Sequence, residues 1–78
     1  MRLIIETRGE VHDLPYERTA LSVFVNPAGQ ALLYCREQEQ TPLFVFDSLD
    51  DAVEELLKMA RLSQSGESYH CISNARTR

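Results

Sequence analysis

The sequence predicts a small α+β domain, with one amphipathic helix packed on one face of an antiparallel sheet. Two observations carry this. The stretch TPLFVFDSLDDAVEELLKMARLSQS, from Thr41 to Ser65, joins a β-favouring run to a capped helix. The stretch from Ala20 to Arg36 divides around Asn26-Pro27-Ala28-Gly29 into two apolar segments, which is the pattern of a hairpin. The expected element order is β-β-β-α-β, in a single domain spanning 1–73. The remainder, 74–78, has nothing to pack and reads as a disordered C-terminal tail.

A first strand covers about residues 2–7, where Leu3 and Ile5 alternate with Arg2, Ile4 and Glu6 and so face the core. Gly9 to Thr19 is punctuated by Gly9 and Pro15 and reads as a loop, although Val11 to Leu14 can extend an edge strand. Pro27 and Gly29 are the second and fourth residues of a type I turn that closes through a left-handed glycine. Pairing Asn26 with Gln30 then sets the register. Val25 faces Ala31, Val23 faces Leu33 and Leu21 faces Cys35 on the core side. Phe24 opposite Leu32, Ser22 opposite Tyr34 and Ala20 opposite Arg36 fall on the other side.

The polar link Glu37 to Thr41 turns the chain into a strand at 43–47. There Phe44 and Phe46 are expected to face the helix, with Leu43 and Val45 opposite. Ser48 is a good N-cap, with Asp51 three residues later. Leu49, Ala52, Val53, Leu56, Leu57 and Ala60 recur at helical spacing as one apolar stripe. Asp50, Asp51, Glu54 and Glu55 lie near the helix start, and Lys58 and Arg61 near its end, as the helix dipole favours. Gly66 supplies a left-handed stop. Tyr69 to Ile72 leaves room for one last strand. This order, with the stretch DSLDDAVEELL, resembles small regulatory modules such as the HicB-type antitoxins and some phage-encoded host inhibitors. No residue role is carried over from it.

A chain of 78 residues supports one modest core and buries about 60–65% of its unfolded surface. Its 44% hydrophobic and 26% charged residues are those of a globular protein. No apolar run approaches the roughly 20 residues of a membrane span. The opening MRLIIETRGE has no signal-peptide core, so a cytoplasmic location is expected and Cys35 and Cys71 are expected to be free thiols. A formal net charge of −4 argues against nucleic acid and anionic membranes as partners.

The residues that suggest chemistry are dispersed. His70 and Cys71 are adjacent on a strand and point to opposite faces, so they cannot share an ion or act as a nucleophile–base pair. Cys35 and His12 have no partner at metal-ligand spacing, so no metal or other cofactor is expected. His12-Asp13 could form an oriented base, but no nucleophile accompanies it. Ser22 is on a strand, and Ser48 is occupied by capping. The chain is therefore expected not to be an enzyme.

Two binding surfaces remain. One is the uncovered sheet face, carrying Ile4, Phe24, Leu32, Tyr34, Leu43 and Val45, which suits a protein partner or a second copy of the chain. Its plainer explanation is a cover formed by residues 9–19 through Leu14 and Tyr16. The other is the acidic cluster Asp47, Asp50, Asp51, Glu54 and Glu55, which suits a basic protein surface in the manner of a nucleic-acid mimic. Dipole and capping preferences also account for that cluster with no partner at all.

Overall fold

The computed structural model describes residues 1–7, 9–38 and 40–73. The chain runs β1 (Arg2–Thr7), β2 (Glu10–Pro15), a 3-10 turn (Tyr16–Arg18), β3 (Leu21–Val25), β4 (Ala31–Cys35), β5 (Phe44–Phe46), α1 (Leu49–Gln64) and β6 (Tyr69–Ser73). The α+β class and the single helix agree with the sequence pattern. The expected single antiparallel sheet does not. The strands divide into two three-stranded sheets, ordered β2-β1-β6 and β3-β4-β5. The tail at 74–78 lies outside the described residues.

In the first sheet β1 is central. It pairs antiparallel with β2 and parallel with β6, placing Arg2 beside Tyr69 and Ile5 beside Ile72. No turn links β1 to β6, so nothing local in the sequence announces that pairing. Residues 10–15 are therefore a strand and not a loop. Leu14 lies opposite Leu3 and His12 opposite Ile5. Leu14 and the following Tyr16 pack against the core, so this segment does not serve as a cover over the β3–β4 hairpin.

The second sheet follows the expected register. Leu21 pairs with Cys35, Val23 with Leu33 and Val25 with Ala31. Turn chemistry fixes it. The Gly29 amide donates to the Asn26 carbonyl at 2.9 Å, and the Asn26 side-chain oxygen accepts from the amides of Ala28 (3.0 Å) and Gln30 (2.9 Å). Gly29 has φ of 87°, which a residue with a Cβ adopts only at a cost. β5 adds to β4, with Phe44 opposite Leu33 and Phe46 opposite Ala31.

Helix α1 is capped at both ends as its sequence implies. The Asp51 amide donates to the Ser48 hydroxyl at 3.2 Å. At the other end the Gly66 amide donates to the Ser63 carbonyl and the Glu67 amide to the Leu62 carbonyl, each at 3.1 Å, the two bonds of a Schellman motif.

The inner faces of both sheets and one side of α1 share a core of Leu3, Ile5, Ile72, Ala31, Leu33, Cys35, Leu43, Phe44, Phe46, Ala52 and Met59. Leu3, Ile5, Leu33 and Met59 are fully buried. Each such side chain contributes about 1.5–3 kcal/mol.

The buried stripe of the helix differs from the expected one. Ala52 and Met59 are buried and Leu56 packs against the core, but Leu49, Val53 and Leu57 are 45%, 43% and 57% exposed. The apolar arc of the helix is wider than the surface it covers, because α1 packs mainly over β4 and β5. Val25, expected on the core side, is half exposed for the same reason.

Candidate protein-binding surface

The outer face of the second sheet is built by the residues of β3, β4 and β5 that alternate with the core set. Phe24 faces Leu32, which in turn faces Val45, and Ser22 faces Tyr34. Phe24 is 53% and Val45 39% exposed, with Leu32 and Tyr34 half-buried beside them. The Phe24 and Tyr34 rings meet edge to face, with centroids 5.4 Å apart and planes at 73°. The positive ring edge against the negative ring face makes this a favoured aromatic pairing. The result is an aromatic pair on the outer face of the sheet, with Phe24 half exposed.

Leu43 is not part of this face. It is 4% exposed and belongs to the core. Strand alternation does not reach it, because β5 begins at Phe44. Its amide donates to the Leu33 carbonyl at 2.7 Å, and the chain bends inward there. Ile4 lies in the first sheet, between Asp13 and Cys71, and so belongs to a different surface.

The acidic cluster is not uniformly solvated. Asp47, Asp50, Asp51 and Glu54 are exposed, but Glu55 is half-buried and its carboxylate meets His70 Nε2 at 2.5 Å. The alternation of β6 turns His70 inward toward α1, while Cys71 points outward. His70 therefore tethers the helix to the first sheet. Strand alternation puts His70 on the same face as Ile72, but it does not reveal that β6 runs beside this helix, and Glu55 falls outside the apolar stripe of the sequence.

The remaining polar groups are scattered, as their spacing implies. Asp13 accepts from Arg2 Nε at 2.9 Å, and His12 sits 3.4 Å from Glu10, so Asp13 does not orient His12. Cys35 donates from its thiol to Glu37 at 3.0 Å; that carboxylate, with burial, raises the thiol pKa above its ordinary value. Ser22 keeps its hydroxyl out of solvent with no partner among the described residues, and Ser48 is engaged as the helix cap. Among the described residues no group of three or more His, Cys, Asp or Glu is arranged to hold a metal.

A recess of about 160 Å³ opens between β5, β6 and α1, lined by Phe44, Phe46, Asp51, Glu54, Glu55, Ile72 and Ser73. It is smaller than the roughly 300–1,000 Å³ of ordinary small-molecule sites. Among the described residues no helix is long and apolar enough to cross a membrane. No protein-family model, curated protein or solved structure matches this chain.

Proposed function

We propose that this protein is a non-catalytic binding module acting through the outer face of its β3-β4-β5 sheet. The observation that carries the reading is the Phe24–Tyr34 pair, held edge to face on that surface with Phe24 half exposed. Aromatic residues of this kind anchor protein interfaces because they bury large area with little loss of side-chain freedom. The fitting partner is a protein with an apolar socket that takes these rings. A regulatory role, as inhibitor, antitoxin-like partner or adaptor, suits a domain whose working surface is a sheet face. Two free thiols are compatible with a cytoplasmic setting.

The test compares wild type with Phe24→Glu and Tyr34→Glu as immobilised baits in host lysate. Circular dichroism of both variants should match wild type, because these side chains lie outside the core. The reading expects a protein retained by wild type and lost from both variants, with retention little changed between low and high salt. Equal retention by wild type and variants would overturn it. A steep loss with salt would instead point to Asp47, Asp50, Asp51 and Glu54 as the contact.

A further inference from the structure

We infer that a second copy of this chain docks on the open margin of the core between α1 and β3, forming an antiparallel, two-fold helix pair. The margin is distinct from the outer sheet face and stands independently of it. Its position follows from two contacts. Glu55 reaches His70 on β6, and Asp51 and Glu55 line the recess with β5 and β6, while Glu54 at the same recess is exposed to solvent. That flank of the helix therefore overlies β5 and β6. In the order β3-β4-β5 the opposite flank, carrying Leu49, Val53 and Leu57, lies toward β3. Those three residues recur at i, i+4 and i+8, so they form one ridge along the helix. On the strand beside it Leu21 and Val23 are half-buried and Val25 is half exposed. Leu21 and Val23 pack against the core, so the part left open is the helix ridge with Val25 at its edge.

Charge identifies the occupant. One step around the helix from the ridge, Asp50, Glu54, Lys58 and Arg61 form a second row, acidic in its first half and basic in its second. Among the described residues none of the four side chains makes an ion pair. An antiparallel helix pair places like flanks face to face. Asp50 then meets Arg61 of the second copy, and Glu54 meets its Lys58, twice over by symmetry. A two-fold interface requires a patch complementary to itself, and this row has that property. Two helices of 16 residues, each about 24 Å long, meet over a limited area. The association belongs to the transient class that buries less than about 1,200 Å² and is expected to be concentration-dependent.

Sedimentation velocity over a wide concentration range tests this on the full chain. Wild type is expected to pass from the 8.9 kDa monomer toward a dimer. Val53→Glu and Leu57→Glu change exposed positions, should keep the wild-type circular dichroism, and should weaken association at least about tenfold. Glu54→Lys alone should weaken it, and Glu54→Lys combined with Lys58→Glu should restore it, since the swapped charges pair again across the two-fold axis. Phe24→Glu should dimerise as wild type does, which separates this margin from the outer face. A wild type that stays monomeric at every concentration would overturn the proposal. So would a dimer indifferent to Val53→Glu, or one that the double charge swap fails to restore. A monomeric wild type whose binding to a different protein is abolished by Val53→Glu would assign the margin to that protein, and would overturn it equally.

Discussion

Leu32 and Leu33 are neighbours in β4 with opposite fates, and truncating each to alanine tests the assignment of both sheet faces. Leu33 is fully buried at the centre of the second sheet, paired with Val23 on one side and Phe44 on the other. Leu33→Ala removes its transfer energy and leaves a cavity that the strands on either side cannot close, costing about 3 kcal/mol. Leu32 is half-buried on the outer face, so Leu32→Ala should cost about 1 kcal/mol or less. The difference is large against a total stability of roughly 4–12 kcal/mol for a domain of this size. Urea unfolding followed by far-ultraviolet circular dichroism reads it directly. With a slope of about 1 kcal/mol per molar urea, the midpoint should fall by about 3 M for Leu33→Ala and by about 1 M or less for Leu32→Ala. A loss at Leu32 that equals or exceeds the loss at Leu33 would mean the hairpin is inverted, and the outer-face assignment would fail with it.

Both helix ends are open to the same assay. Ser48→Ala should cost about 1 kcal/mol through loss of the bond to the Asp51 amide, and an unchanged midpoint would place the helix start elsewhere. Gly66→Ala should cost about 1–2 kcal/mol from backbone conformation alone, since φ is 82° and a Cβ there would meet no neighbour. Both thiols should alkylate slowly in the native state. The Glu37 carboxylate and burial raise Cys35, while loss of solvent around the sulfur and Glu6 raise Cys71. Cys71, on the exposed side of β6, should react first, and mass spectrometry should count two adducts after unfolding; Cys35 reacting first would contradict the burial pattern. The Glu17 carboxyl, bonded to the Met1 ammonium and to the Ser63 hydroxyl, is lowered from 4.5 to about 2. A lowered carboxyl pKa stabilises the fold above the unfolded value and loses that contribution as pH falls through the folded one. Wild type should therefore lose stability between about pH 4.5 and pH 2 more steeply than Glu17→Gln, and parallel curves would remove Glu17 from the account.

The parts legible in the sequence are those whose determinants are local. The Asn26 to Gly29 turn sets the hairpin register because its hydrogen bonds lie within five residues, and every pairing of β3 with β4 follows from it. Ser48 and Gly66 are equally local, so both helix ends could be placed. The first sheet could not, because β1 and β6 meet through contacts between opposite ends of the described chain. β2 was obscured by its composition. Its inward residues are His12 and Leu14, and its most apolar outward residue, Val11, is exposed, which blurs the alternation that marks a strand. Helical periodicity located an apolar arc on α1 but not its centre. Leu49 and Val53 look the same in sequence whether they sit over a strand or beyond its edge. Of the candidate surface, Phe24, Leu32, Tyr34 and Val45 follow from the hairpin and its neighbour. Leu43 does not, because it precedes β5 and strand alternation does not govern it.

The parallel pairing of β1 with β6 also bears on the order of events in folding. The β3–β4 hairpin closes a loop of a few residues, whereas bringing Arg2 beside Tyr69 closes nearly the whole described chain. Loop-closure entropy grows by about 0.6 kcal/mol per doubling of length, so the long closure costs about 2 kcal/mol more than the hairpin. The second sheet and α1 should thus assemble first, as a partly formed half-domain with the inner face of Leu33, Phe44 and Met59 bared on one side. β1, β2 and β6 would then close over it in a late, slow step. On the ribosome that step must wait until Ser73 has emerged. Until then the most apolar face of the protein is open to any chaperone, or any other nascent chain, within reach.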